Sequence, residues 1–274
     1  MTANLTRTIR LWLYSLLLGL GVAGALIGSA SVADASPLSA HQGLLAPREP
    51  SKSLLPANSL LSSCHEGDAG TGCNSLALQA IGHARQVLEK MGGMNFSMAA
   101  YEKLTIAEQL FVTVNLERTQ RGLAPAVVLT RSLDKIAQAG AKAGQDPSVS
   151  AVPRRLPGGG RTASIGANWA GGWVNALGSD YGWMYDDGPG GTNLDCTTAR
   201  SAECWGHRNI ILGTFASYSV CGGSSSELAM GAGHTTVLAR YGESDTELLA
   251  GVCGPTPTDT VLTWTRAKQL LGIK

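Results

Sequence analysis

Charge of either sign is in short supply. Asp, Glu, Lys and Arg make up 15% of the 274 residues, 21 basic against 20 acidic. A chain so near neutrality casts no long-range field toward nucleic acid or anionic lipid, which excludes both as electrostatically recruited partners. Aromatic residues reach only 5%, and just three are Phe. No Cys-x-x-Cys occurs, so zinc knuckles and thioredoxin-type sites have no support. Also missing are a Gly-x-Ser-x-Gly elbow, a His-Glu-x-x-His pair, a phosphate-binding loop and any internal repeat.

What is present begins with an export pattern. Arg7 and Arg10 precede an apolar run from Leu11 to Ile27, and small residues then lead to Ala33-Asp34-Ala35. A positive segment, an apolar core and an Ala-x-Ala end define a secretory signal peptide, residues 1–35. Gly19, Gly21 and Gly24 argue against the alternative of an uncleaved spanning helix. No Cys near the cleavage site offers a lipid anchor, and no Arg pair marks the twin-arginine route. The expected location is extracellular or in the cell envelope, with no stable membrane anchor after cleavage. Removal of Arg7, Arg10 and Asp34 leaves equal numbers of acidic and basic residues.

Six cysteines follow the leader, an even count that reads as disulfides in an exported chain. Cys64/Cys73 and Cys196/Cys204 enclose short loops rich in Gly, Thr, Asp and Ser, while Cys221 and Cys253 lie in apolar, strand-like stretches. Local pairing makes 64–73, 196–204 and 221–253 the simplest framework. Residues 36–74 read as a flexible linker ending in the first Cys loop. Residues 75–255 have the composition of one globular domain, and 256–274 read as a tail with a short helix from Trp264 to Leu271.

Within the domain four helices are legible. The first runs from Ser75 to Lys90. The second starts on the capping box Thr105–Glu108 and carries the stripe Ile106, Leu110, Phe111 and Val114 to a stop at Gly122. The third follows Ser132, with Leu133, Ile136, Ala137, Gly140 and Ala141 on a face small enough for close packing. The fourth carries Trp173, Leu177, Tyr181 and Met184. Later runs at Tyr218–Cys221, Glu227–Ala232, Thr235–Arg240 and Glu247–Cys253 read as antiparallel strands. Helices first and strands last indicate an α+β fold.

Several segments occur in a familiar order. Asn115-Leu116-Glu117-Arg118 precedes a Gly122-Leu123 turn, and Leu133 to Ala143 forms an Ala-rich helix. Gly166-Ala167-Asn168-Trp169 and Gly206-His207-Arg208-Asn209-Ile210-Ile211-Leu212 follow, then Met230-Gly231-Ala232-Gly233. Across residues 105–241 this pattern resembles the CAP superfamily of cysteine-rich secretory, antigen 5 and pathogenesis-related proteins. The resemblance implies an α-β-α sandwich, an antiparallel sheet flanked by helices. It also implies a groove in which two His and two carboxylates hold a divalent cation. The chain departs from that set: residues 145–165 contain no His, and Ala167 stands where the motif has Glu. His207 is the one tetrad position matched, with Glu203 a nearby carboxylate. No metal and no cofactor are therefore expected in the groove.

The groove candidates are His207, Glu203, Asn168, Trp169 and Tyr185. His207 reads first as a structural residue near the groove, then as a ligand contact. Asn168 reads as a loop tie, and Asn115 with Arg118 as a buried polar pair in mutual contact. Trp169, Trp173, Trp183 and Trp205 read as core bulk, with a small-ligand or glycan surface as the alternative. The Asp/Gly-rich stretch 185–195 lacks EF-hand spacing and reads as a turn rather than a calcium loop. His41, His65, His83 and His234 have no motif context. The resulting expectation is a secreted, non-catalytic binding or interaction module for an apolar small molecule, a cell-wall component, a glycan or an extracellular protein. The alternative is a peptidase or esterase using His207 as base. Terminal sequencing of the exported protein is expected to begin at Ser36, and a chain that begins at Met1 would contradict the leader.

Overall fold

In the computed structural model, Thr105 and Glu108 close the capping box that the sequence predicts. The Thr105 hydroxyl accepts the Glu108 amide at 3.3 Å, and the Glu108 carboxylate accepts the Thr105 amide at 2.8 Å. The residues described are Leu61, Cys64, 71–173, 175–186, 204–215, 220–238 and 242–274. The expected leader, nearly all of the linker, Cys196 and Glu203 lie outside them.

Helix α1 (Thr71–Ala84) continues into a π-helical turn at Arg85–Glu89, and α2 is the short turn Met98–Tyr101. The capped helix is α3 (Ile106–Thr119), which leads to strand β1 (Ala126–Thr130) and helix α4 (Arg131–Ala143). Strand β2 (Arg161–Gly171), helix α5 (Ala176–Tyr185) and helix α6 (Gly206–Ile211) follow. The hairpin of β3 (Ser226–Leu238) and β4 (Gly242–Cys253) precedes β5 (Thr260–Thr263) and α7 (Trp264–Leu271).

The fold is α+β, with a five-stranded sheet in the order β2-β4-β3-β1-β5 flanked by helices. The expectation of an antiparallel sheet needs correction, because β1 runs parallel to β3 while the other pairs are antiparallel. About half of the domain lies between these two strands, and a long crossover brings the chain back in the same direction, as a hairpin cannot. Strands also precede Cys204. β2 is rich in Gly and Ala, and Thr162 and Ile165 are its only β-branched residues, too few to announce a strand. Cys221 sits in a turn rather than a strand, yet Cys221–Cys253 and Cys64–Cys73 both form as expected. The third expected pair involves Cys196 and lies outside the described residues.

The C-terminal segment is no tail. β5 pairs with β1, and α7 buries Trp264, Ala267 and Leu271, with the Trp264 ring edge-on to Phe111 at 6.3 Å. The helical spacing of those three apolar residues gives α7 one buried face.

Strand alternation divides the core. Leu248, Ala250 and Val252 pack with Leu133 and Ala137 of α4 on one side. Met230, Ala232 and Leu249 pack with Phe111, Val114 and Leu177 on the other. The approach of α4 to β3 is very close: a Cβ on Gly231 would meet the Leu133 carbonyl carbon at 2.2 Å, and one on Gly233 the Gln138 amide nitrogen at 2.4 Å. Asn115 and Arg118 do not pair with each other. Asn115 accepts from the Ala126 amide at 2.7 Å and donates to its carbonyl at 3.0 Å, which ties α3 to β1. Arg118 donates to the carbonyls of Ala124, Ile211 and Gly213.

Asp134 on α4 accepts the Ala232 amide at 2.8 Å. Burial pushes its carboxyl up from 3.8 to about 7, with Asp259 and Glu108 adding to the rise while the Ala232 bond and Arg131 oppose it. The native state keeps a proton there that the unfolded chain releases near 3.8, so stability present at acidic pH is lost as pH rises toward 7. Urea unfolding across that window is expected to show the loss. Asp134→Asn should flatten the slope by on the order of 2 kcal/mol.

Candidate functional site

β2 is an edge strand, and its outer rim is covered by side chains. The carboxylate of Asp146, just past the left-handed Gly144 that ends α4, accepts the backbone N–H of Trp169. The Trp183 indole donates to the Trp169 carbonyl at 3.0 Å. The Trp169 indole in turn donates to Ser244 Oγ at 2.7 Å, and Ser244 donates to the Ala141 carbonyl at 2.9 Å. A strand edge that would otherwise template pairing with another chain is closed in this way.

Beside this rim lies an open cleft of about 480 Å³. Gln145, Asp146, Trp169, Trp173, Trp183, Asp186 and His207 are among the residues that line it. The indole of Trp173 lies so near Gly182 that a Cβ there would sit 2.6 Å from it. Burial pushes the Asp146 carboxyl up, while the His207 charge and the Trp169 amide pull it down. His207 is placed by α6. The helix starts at the buried Trp205, which adopts a left-handed backbone at φ 64°, a conformation that costs a non-glycine residue on the order of 1–3 kcal/mol.

Asn168 holds that helix. Its amide donates to the His207 carbonyl at 3.1 Å and to Glu247 Oε1 at 2.6 Å. At Gly166 a Cβ would meet Ile210 and Phe215 at 2.8 Å, so the glycine lets this segment close on the sheet. Glu247 is fully buried, and burial raises its carboxyl to about 8 against the opposing Asn168 bond and the charges of His207 and Arg118.

Of the sequence candidates, His207 and Trp169 line the cleft, and Asn168 supports it from beneath as a tie. Glu203 lies outside the described residues. Tyr185 is buried away from the cleft, where its hydroxyl donates to Glu117 at 2.9 Å and accepts from Arg121 at 2.9 Å. It belongs to a buried ionic network. Arg85 and Arg121 pair with Glu117, and Arg121 and Arg208 pair with Glu89 at 2.7 and 2.9 Å. Burial would raise Glu89, but Arg208 and Arg121 outweigh it and bring its carboxyl down to about 2. Asp180 nearby is fully buried with neither oxygen hydrogen-bonded, and burial with Glu117 and Glu247 pushes its carboxyl well up. Of the four Trp residues, Trp183 and Trp205 are buried, whereas Trp169 and Trp173 are partly exposed, and Trp169, Trp173 and Trp183 line the cleft.

The sequence reading missed Asp146 and Asp186 as cleft residues. Asp146-Pro147 carries only a helix-stop signal, and no motif marks Asp146 as facing His207. It also missed a second cluster, in which His234 Nδ1 lies 2.7 Å from Asp245 Oδ1 and 3.5 Å from Glu243 Oε1. No family model, curated protein or solved structure matches this chain.

Asn168→Ala removes two hydrogen bonds and leaves buried Glu247 without that donor. It is expected to lower the unfolding free energy by about 2–3 kcal/mol in denaturant titration. Asn168→Asp should cost more, because it sets a second carboxyl against Glu247.

Proposed function

We propose that this chain is an exported, non-catalytic binding module of the CAP type, and that its cleft takes a saccharide. The single observation behind this reading is the composition of the cleft wall, which combines Trp169, Trp173 and Trp183 with Asp146, Asp186, Gln145 and His207. Sugar rings present apolar C–H faces flanked by hydroxyls, which suit aromatic faces beside carboxylates and an amide. A sterol or acyl chain fits less well, since it would strip water from two carboxylates and an imidazole without replacing their hydrogen bonds. Among the described residues the cleft offers no Ser, Thr, Cys or Lys, the common hydroxyl, thiol and amine nucleophiles. The two disulfides are consistent with an extracellular protein, and among the described residues no helix is long and apolar enough to cross a membrane. The CAP resemblance supports the same reading through the order of its motifs.

A second reading, a hydrolase, has one observation in its favour: Asp146 shares the cleft with His207, as a carboxylate partner of a His base would. One experiment tests both. The exported protein is incubated with insoluble peptidoglycan, chitin and cholesterol-containing vesicles, and retention and released fragments are measured. The expected result is retention on a polysaccharide, tryptophan fluorescence quenching by its soluble oligomers and no released fragments. Trp169→Ala and Trp173→Ala should each weaken binding about 10-fold. Fragments released by the protein but not by His207→Ala would establish the hydrolase, and retention on vesicles alone would establish an apolar ligand.

A further inference from the structure

The cluster around His234 lies on the β3–β4 hairpin, where strand register places His234 directly opposite Asp245. Glu243 and Asp245 are two residues apart on β4 and share a face of the strand. Both carboxylates are buried, while the His234 side chain keeps 23% of its surface open. One imidazole nitrogen and two carboxylate oxygens from these residues lie within 4.8 Å of one another. Around zinc, neighbouring N and O donors sit about 3.4 Å apart, given metal–ligand bonds of about 2.1 Å. The separations of 2.7 and 3.5 Å from His234 Nδ1 bracket that spacing.

Groups outside the three residues hold them in place. Gln138 on α4 grips the His234 backbone from both sides, donating to its carbonyl at 2.7 Å and accepting its amide at 3.2 Å. Ser179 on α5 donates to Asp245 Oδ2 at 2.7 Å, which leaves Oδ1 directed at the imidazole. Such supporting bonds to ligand residues are a general feature of metal sites and set ligand orientation before the ion arrives.

We propose that His234, Glu243 and Asp245 form a three-ligand site for a first-row divalent cation, with zinc the best-fitting ion. Neutral imidazole with two carboxylates balances a double positive charge and matches the borderline ligand preference of zinc. Calcium is disfavoured, because it takes six to eight oxygen ligands. Three protein ligands leave a fourth position open on the exposed side of His234, where water or an anionic ligand would bind. The site is separate from the cleft, since none of its three residues lines it.

The test is calorimetric titration of the chelator-treated exported protein with zinc, together with absorption spectroscopy after cobalt substitution. A one-to-one isotherm and visible cobalt bands of a low-coordinate site are expected, both unchanged in His207→Ala. Asp245→Asn and His234→Gln should each weaken binding at least about 100-fold, and Ser179→Ala about 10-fold. His234→Gln, at the exposed end, keeps the test valid if Asp245→Asn fails to fold. Absence of heat and of cobalt bands would overturn the proposal, as would an isotherm lost in His207→Ala and kept in His234→Gln.

Discussion

The closeness of α4 to β3 is the constraint on which both sites depend. Only glycine at 231 and 233 lets the helix backbone rest on the strand, because any Cβ there would overlap main-chain atoms of Leu133 or Gln138. At that distance side chains of the sheet reach the carbonyls of the helix: Ser244 donates to Ala141 and Thr246 to Ala137. The same proximity brings Gln138 onto the His234 backbone and carries the Gly144–Asp146 turn around the sheet edge to Trp169. A helix held a few ångströms farther out would leave Asp146 away from the cleft and His234 without its clamp.

The opposite face of the sheet is unusual in what it buries. Glu117, Asp180, Asp245 and Glu247 all lie in the interior with Arg85 and Arg118. Removing charges from water costs several kcal/mol each unless partners replace the lost solvation. Glu117 meets that cost with Arg85, Arg121 and the Tyr185 hydroxyl, in one network joining the π-helical turn, α3 and α5. Asp180 and Glu247 meet it differently, since burial raises both carboxyls and favours their neutral forms. The framework beneath the cleft is thus held by directional polar bonds as well as apolar packing. Such bonds specify one arrangement more sharply than apolar contact does.

Interior polar groups support the cleft and the hairpin cluster in different ways. Around the cleft, Asn168 joins β2, β4 and the start of α6 through two donated bonds. Around the hairpin, Ser179 of α5 reaches Asp245 while Gln138 of α4 reaches His234 from the other side of the sheet. One site is an open surface with indole walls, the other a small convergence of charged atoms.

Local chemistry made much of the scaffold legible in the sequence. Thr105 and Glu108 announced α3, the small residues of α4 announced close packing, and short spacing paired Cys64 with Cys73, because each of these signals acts between near neighbours or follows helical periodicity; Cys221–Cys253, 32 residues apart, was the pair left once the two short loops were closed. The expectation that His207 and Trp169 lie near a groove came from the CAP resemblance and not from spacing or periodicity. Long-range pairing was beyond the reach of local chemistry. β1 lies beside β3 only because a crossover of about half the domain returns to it, and Tyr185 is buried because α3 and the turn after it supply Glu117 and Arg121. Glu243, Asp245 and Glu247 alternate as the exposed face of a strand does, yet their face is covered by helices. Alternation assigns residues to one side of a strand, and only tertiary packing decides whether that side meets water or protein.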